Sequence, residues 1–432
     1  MISLDTTSLI KVIIVLGLAI AVWLLLAYRE RVGPLLQRHE RTTIYLTFVV
    51  LRLVPFVCVY LVLNQEPRND VEFFYRKATA ALQGKLVYRD FMSYHGPLFS
   101  YLISWPLLLW RNGKVIVLLM ALVELVIAIA TLRRYRDASN TPVVWFVLYY
   151  LLPLPFVALV LCGQEDEWMW GFCLLTLAVP PGRRFSFWCG VVWGIGMLTI
   201  KFMLIVFLIP LFFIVPNRWQ YVAGLLVVGL PSMLVLYALV GMDFLMPIQH
   251  SSLPMTPNLV SVLRPMLGTY LEQIPLTYLN WAGLLATIGG ASLVGHRYRL
   301  IGYRPLLPLL YVFTFGLFMI CLPSSPGFYL YAHALPLVFV VLSSGRGRQA
   351  WPAFIVLNVL AVVQTILSIV YNKQDLYNGW SQINGLSEWA DYGMQCVQVM
   401  IFVYLLWIVL DQMRTVAGQE QLTEMPSSVP TS

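Results

Sequence analysis

The sequence predicts an all-α fold: a polytopic membrane bundle of about 13 spans. Three observations point to it. The chain is 59% hydrophobic and only 11% charged, where a soluble domain carries about 25% charged residues. Its mean hydropathy is +0.78. Apolar runs near the length of a span recur throughout, and most charges fall in the short breaks between them.

Residues 9–27 form the first run. It is long for a signal-peptide core and no small-residue cleavage site follows, so it reads as an uncleaved span. Arg29, Arg31, Arg38 and Arg41 come after it, which puts the N-terminus outside. The run 43–63 returns outward and delivers residues 64–114 to the outer face. In that loop, Asn69-Asp70-Val71-Glu72 is a helix start with a capping-box spacing. Val71, Phe74, Tyr75, Ala78 and Leu82 then recur at helical spacing up to Gly84, giving a short amphipathic helix lying on the membrane. Pro97–Trp110 is too short to cross, and leaving it interfacial or re-entrant keeps Arg133, Arg134 and Arg136 inside, after the span 115–132.

Further spans are expected at 143–161, 166–180, 185–200, 203–216, 219–240, 276–294, 305–322, 329–343, 351–371 and 394–411. Together, 1–411 form one membrane domain and 412–432 a polar, disordered cytoplasmic tail. The excess of basic residues falls in the inside loops, with a local exception in the 64–114 loop, which holds seven of them. That exception is what a loop handling phosphates would show. The formal net charge of +8 orients the spans and is no sign of a nucleic-acid partner. No CxxC pair, His/Cys cluster or GxxxxGK[ST] loop occurs, so neither a zinc or redox site nor ATP-driven transport has support here, and the three adjacent acids at 165–167 are weak evidence for a divalent cation. A pairing of Cys162 with Cys321 at the outer surface stays open.

Arg52 and Glu124 each stand tenth in an apolar run, and the two runs point in opposite directions. Both therefore fall near mid-membrane, where charges pair or face a polar cavity. The expectation is mutual neutralisation.

Four polar groups collect at the outer face. They are Asp70 and Glu72 with Asp90, Tyr94 and His95; Gly163-Gln164-Glu165-Asp166-Glu167; the lone cation Lys201; and Pro323–His333. The outer loop 241–275 adds His250 and Arg264. Each has two readings. Asp70 is either a general base or a residue complementing its helix dipole. Gln164, Glu165 and Asp166 either bind an acceptor or solvate a turn, and Lys201 either contacts phosphate or snorkels from a helix end. His250 and His333 are phosphate donors or structural histidines. Tyr94 and His95 are acceptor contacts or ordinary loop residues.

Several of these pieces, in their order, resemble the GT-C superfamily of integral-membrane glycosyltransferases, and within it the α-mannosyltransferase-like users of polyprenyl-phosphate sugars. They are N-D-x-x-x-x-Y from Asn69, A-x-x-x-x-x-G-x-x-x-Y-x-D-F up to Phe91, H-G-P-L at 95–98, G-Q-x-D at 163–166, Lys201, and Tyr329–Pro336. His-Gly-Pro-Leu stands where the family often has Tyr-Pro-Pro-Leu, and Gln-Glu-Asp where it often has Gln-x-Asn. The resemblance implies a helical bundle whose first outer loop roofs a lipid-accessible cavity in the cell membrane. It implies metal-independent, inverting transfer of a sugar from a polyprenyl-phosphate donor to a glycan or glycolipid hydroxyl at the extracytoplasmic face, with no cofactor. Asp70 would be the base, with Lys201, His333, His250 and Arg264 toward the donor phosphate. Gln164, Glu165, Asp166, Tyr94 and His95 would face the acceptor. The competing classes are a secondary transporter or flippase of lipid-linked saccharide, and a polysaccharide polymerase or ligase. Matching Gly/Pro-broken helix pairs, the mark of inverted-repeat transporters, are missing from the sequence.

Overall fold

A computed structural model describes residues 6–67, 70–246, 253–372 and 376–423. Among these the chain is helical, with no β-structure beyond two isolated bridges, Val87 to Phe91 and His95 to Lys201. In order, the helices are α1 (Thr6–Arg38), α2 (Glu40–Val62), α3 (Asp70–Leu82), α4 (Phe99–Leu102), α5 (Lys114–Arg134), α6 (Pro142–Leu151), α7 (Pro153–Leu161), α8 (Trp168–Ala178), α9 (Phe185–Thr199), α10 (Ile205–Ile214), α11 (Arg218–Val240), α12 (Leu259–Leu271), α13 (Leu276–Arg297), α14 (Tyr303–Cys321), α15 (Gly327–Leu342), α16 (Trp351–Ile366) and α17 (Leu386–Thr423).

Seven of these are long and apolar enough to cross a bilayer: α1, α2, α5, α11, α14, α16 and α17. The pair α6 and α7, bent by 60° at Leu152, makes an eighth if it counts as one span. This is fewer than the thirteen runs suggest, and the reason is local. The runs 166–180, 185–200 and 203–216 yield helices of only 11, 15 and 10 residues, where about 20 are needed to cross. Polar or proline-bearing breaks at Gly163–Glu167, Val179–Arg184, Ile200–Lys201 and Val215–Asn217 cut them short. Pro97–Trp110 forms only α4 and a 3₁₀ turn, Trp105–Leu108. No disulfide forms among the described residues, so Cys162 and Cys321 are not cross-linked.

The main core surrounds α14, with Tyr311 packed on Phe207 and Trp170. A second cluster holds the segment after α2 on the bundle. There Val71, Phe74 and Ala78 of α3 join Phe99, Phe56 and Tyr60 at the end of α2, and Val115 to Val117 at the start of α5. Lys114 Nζ bonds Asn64 at 2.7 Å, Tyr60 donates to the Val160 carbonyl at 2.9 Å, and His95 pairs with Lys201 across the break after α9. The ends of α2, α7 and α9 and the start of α5 therefore meet at one end of the bundle. At the other end Arg136 pairs with Glu40 at 2.7 Å and Arg346 with Asp411 at 2.6 Å.

Between the two ends, Arg52 and Glu124 form the expected pair. Arg52 Nε and Nη2 donate to the two Glu124 oxygens at 2.7 Å each, and both side chains are fully buried. Pro55, which cannot donate an N–H, is flanked in α2 by the wide turns Val49–Leu53 and Val57–Val62, and Arg52 sits in the first. The guanidinium also donates to the Leu51 and Tyr150 carbonyls and lies 4.6 Å from the centre of the Tyr150 ring. Removing one member of such a pair leaves a lone buried charge, at a cost of about 3–5 kcal/mol. Arg52→Glu should abolish folded protein on detergent size-exclusion chromatography, and Arg52→Glu with Glu124→Arg should restore it. A double swap no better than the single change would show that the pair is not what holds α2 to α5.

Candidate active site

The site is assembled from four segments at the loop-bearing end. The first is α3. Its apolar face turns Val71, Phe74 and Ala78 inward, and Asp70 and Lys77, seven residues apart, lie two turns from one another along it. Asp70 is exposed, and its Oδ2 accepts a 2.6 Å bond from Gln164 Nε2. Asn69, the expected cap, lies outside the described residues.

The second segment is the turn between α7 and α8. Gly163 has φ +56°, and a Cβ there would lie 2.6 Å from Val71 Cγ2. Only glycine both adopts that backbone and lets the turn close against α3. The turn buries Gln164, Glu165, Asp166 and Glu167.

The third segment carries His95. Its carbonyl accepts from Tyr88 OH at 2.5 Å, and its ring stacks on Phe99 with centroids 4.1 Å apart. His95 Nε2 bonds Glu165 Oε1 at 2.7 Å. Burial, with Lys77 and Lys201 close by, holds His95 well below the usual imidazole range, so a neutral ring donates Nε2–H to the carboxylate. Gly96 N–H donates to the Ile200 carbonyl, and Leu98 N–H to that of Leu198 at 2.9 Å. A Cβ on Gly96 would lie 2.5 Å from the Leu198 carbonyl carbon, so this docking requires glycine.

The fourth segment is the break between α9 and α10. Lys201 Nζ lies 2.8 Å from Glu165 Oε1 and 2.7 Å from Asp166 Oδ1, and 5.0 Å from the centre of the Tyr329 ring. Tyr331 OH donates to Asp166 Oδ2 and accepts from the Asp166 N–H at 2.9 Å. Glu167 accepts from Tyr149 OH.

The structure therefore brings together Asp70, Gln164, Glu165, Asp166, His95 and Lys201. Tyr94 lies at the edge, exposed and stacked on Phe73. His333 sits deeper, between Tyr311 and Phe315, and its Nε2 bonds the Val312 carbonyl at 2.9 Å. Arg264, on α12, makes no bond to the cluster. His250 lies outside the described residues. Among the described residues no group of His, Cys, Asp and Glu is arranged to hold a metal ion.

Sequence reasoning missed Lys77. This side chain is 3% exposed, yet its ammonium makes no hydrogen bond or ion pair among the described residues. It lies 4.2 Å from the centre of the Phe73 ring and 5.9 Å from those of Phe74 and Tyr94. Burial lowers its pKa to about 8, Glu165 and Asp70 raising it in part and Lys201 lowering it further. The available signal was its place three residues after Phe74 and one before Ala78, on the inward stripe of α3.

Lys201 thus holds two buried carboxylates in place. Lys201→Met should lower the thermal midpoint sharply, at a cost of about 3–5 kcal/mol, whereas Tyr94→Ala at the edge should change it little. Differential scanning fluorimetry in detergent checks this. A Lys201→Met midpoint equal to wild type would mean that the carboxylates are held by other contacts. No protein-family model matches this chain, and no curated protein or solved structure is significantly similar to it.

Proposed function

We propose that the chain is a membrane glycosyltransferase that moves a sugar from a polyprenyl-phosphate donor to an acceptor hydroxyl, at the extracytoplasmic face, with inversion. The observation that carries this reading is the placing on α3 of an exposed carboxylate, Asp70, and a buried ammonium, Lys77, that has no partner among the described residues. Two helical turns separate their backbones by about 10 Å. That leaves room for a sugar between a base and a departing phosphate. Inverting displacement needs those two groups on opposite sides of the anomeric carbon.

In the proposed reaction Asp70 accepts the proton of the acceptor hydroxyl as its oxygen forms the new bond to the anomeric carbon. The bond from that carbon to the phosphate oxygen breaks, and the lipid phosphate leaves with the electron pair. Lys77, buried on α3, meets the charge that develops there in a poorly hydrated setting, where one ammonium is worth far more than in water. Gln164 holds Asp70 at one oxygen and leaves the other without a described donor. Lys201 is already committed to Glu165 and Asp166, so Lys77 takes the phosphate role that the sequence pattern suggests for Lys201. Glu165 and Asp166 then position Lys201, His95 and Tyr331 rather than bind the acceptor directly. The closed Arg52–Glu124 pair favours this reading over transport, because it leaves those mid-membrane charges satisfied by each other.

Asp70→Asn keeps the size and the bond from Gln164 but removes the basic oxygen. Transfer of radiolabelled sugar should fall by about a hundredfold or more, with the thermal midpoint near wild type; Glu72→Gln, exposed and paired only with Arg76, should lose much less. Wild-type turnover in Asp70→Asn would remove the base. For Lys77 the sign follows from its pKa: the ammonium is present below about 8 and lost above it. The apparent affinity for the lipid-phosphate donor should fall as pH rises through about 8, and Lys77→Met should bind weakly at every pH with no such step. A pH profile unchanged in Lys77→Met would assign the titration to another group.

A further inference from the structure

The other end of the bundle has a feature that the reaction does not use. A cleft of about 390 Å3 opens between the turns that join α8 to α9, α10 to α11 and α13 to α14. This volume is within the range of small-molecule sites, about 300–1,000 Å3. Arg183 and Arg304 are its charged lining, Asn217 and Gln220 its amides, and Phe185 and Pro305 part of its apolar wall. Gln220 Oε1 is buried without a hydrogen-bond partner, which leaves an acceptor waiting for a donor.

The charge around the cleft is one-sided. The sequence has no Asp or Glu between Glu167 and Asp243, nor between Glu272 and Asp375. Those stretches supply Arg183, Arg184, Arg218, Arg297, Arg299 and Arg304 to the three turns and their flanks. None of the six forms an ion pair with a described residue, while Arg136 and Arg346 at the same end each have a carboxylate. Positive-inside topology explains an excess of arginine but not a cleft lined by two arginines and by a glutamine whose acceptor is orphaned. Apolar walls next to the charge suit an amphiphile better than a free ion, and basic pockets between spans are where lipid phosphates are held.

We propose that this cleft binds the phosphodiester of an anionic phospholipid with a hydroxyl-bearing headgroup, such as a phosphatidylglycerol. Arg183 and Arg304 contact the phosphate, and Gln220, its side chain turned toward the cleft, accepts from a headgroup hydroxyl. The proposal does not depend on the transferase reading, since the cleft lies at the end of the bundle away from Asp70.

The test uses the full chain, delipidated in a neutral detergent and titrated in mixed micelles with short-chain phosphatidylglycerol while thermal unfolding is followed. Phosphatidylglycerol should raise the midpoint, as any ligand of the native state does, and phosphatidylcholine at equal concentration should raise it less. Arg183→Gln should shift the half-effective concentration upward by about tenfold, the scale of one charge-assisted contact. Arg183 is the variant of choice because it makes no protein hydrogen bond among the described residues, whereas Arg304 Nη2 donates to the Val179 carbonyl at 3.0 Å. Equal shifts from the two lipids, or an Arg183→Gln titration that overlays wild type, would overturn the site. Inorganic phosphate that reproduces the shift and competes with the lipid would overturn the lipid assignment in favour of a soluble phosphate ligand.

Discussion

Two fully buried carboxylates, Glu165 and Asp166, share one ammonium, that of Lys201, and much of the loop-bearing end depends on this contact. A carboxylate buried alone costs several kcal/mol, so the turn that carries these two is stable only where a cation and hydrogen-bond donors reach it. Lys201 reaches it because the chain breaks between α9 and α10. His95 and Tyr331 complete the set from the first outer loop and from α15. The docking of residues 95–98 on 198–201 follows, and with it the seat of α3 over the bundle. The short helices α8, α9 and α10 are the local consequence: their breaks give these polar groups an end to gather at.

The same physics separates the molecule into three levels. Near the middle of the helices, Arg52 and Glu124 satisfy one another and are closed. At the loop-bearing end most charges are paired, but Lys77 has no described partner and Asp70 has one oxygen engaged. At the opposite end Arg183 and Arg304 line an open cleft, and neither forms an ion pair with a described residue. Unbalanced charge is costly in proportion to its burial, and among the described residues Lys77 on α3 is a buried cation with no ion-pair or hydrogen-bond partner. The proposed chemistry therefore centres on α3.

Much of this was legible in the sequence, and the remainder has physical reasons for being hidden. Hydropathy shows a helical membrane protein, and the equal depth of Arg52 and Glu124 in oppositely directed runs is enough to expect their pairing. The α3 face at Val71, Phe74 and Ala78 follows from periodicity. The count of spans does not, because a window of apolar residues cannot tell a full crossing from two short helices meeting at a break such as Ile200–Lys201. Lys201 looked like an isolated cation because its partners lie some 35 residues away in sequence. His333 looked like a companion to Tyr331, but two residues along a helix turn the side chain away from the cluster and toward Val312. Lys77 was hidden by habit: a lysine on an amphipathic helix is ordinarily assigned to the wet face.

In the proposed function, the α3 end of the bundle transfers a sugar from a lipid phosphate. The most direct measurement incubates the purified protein with polyprenyl-phosphate sugars labelled in the sugar, together with a membrane extract as the source of acceptors, and follows both products. Label should appear in a new covalent product while free polyprenyl phosphate is released in equal amount. Label that crosses into sealed vesicles still attached to its original lipid, with no new product, would contradict it and identify a transporter.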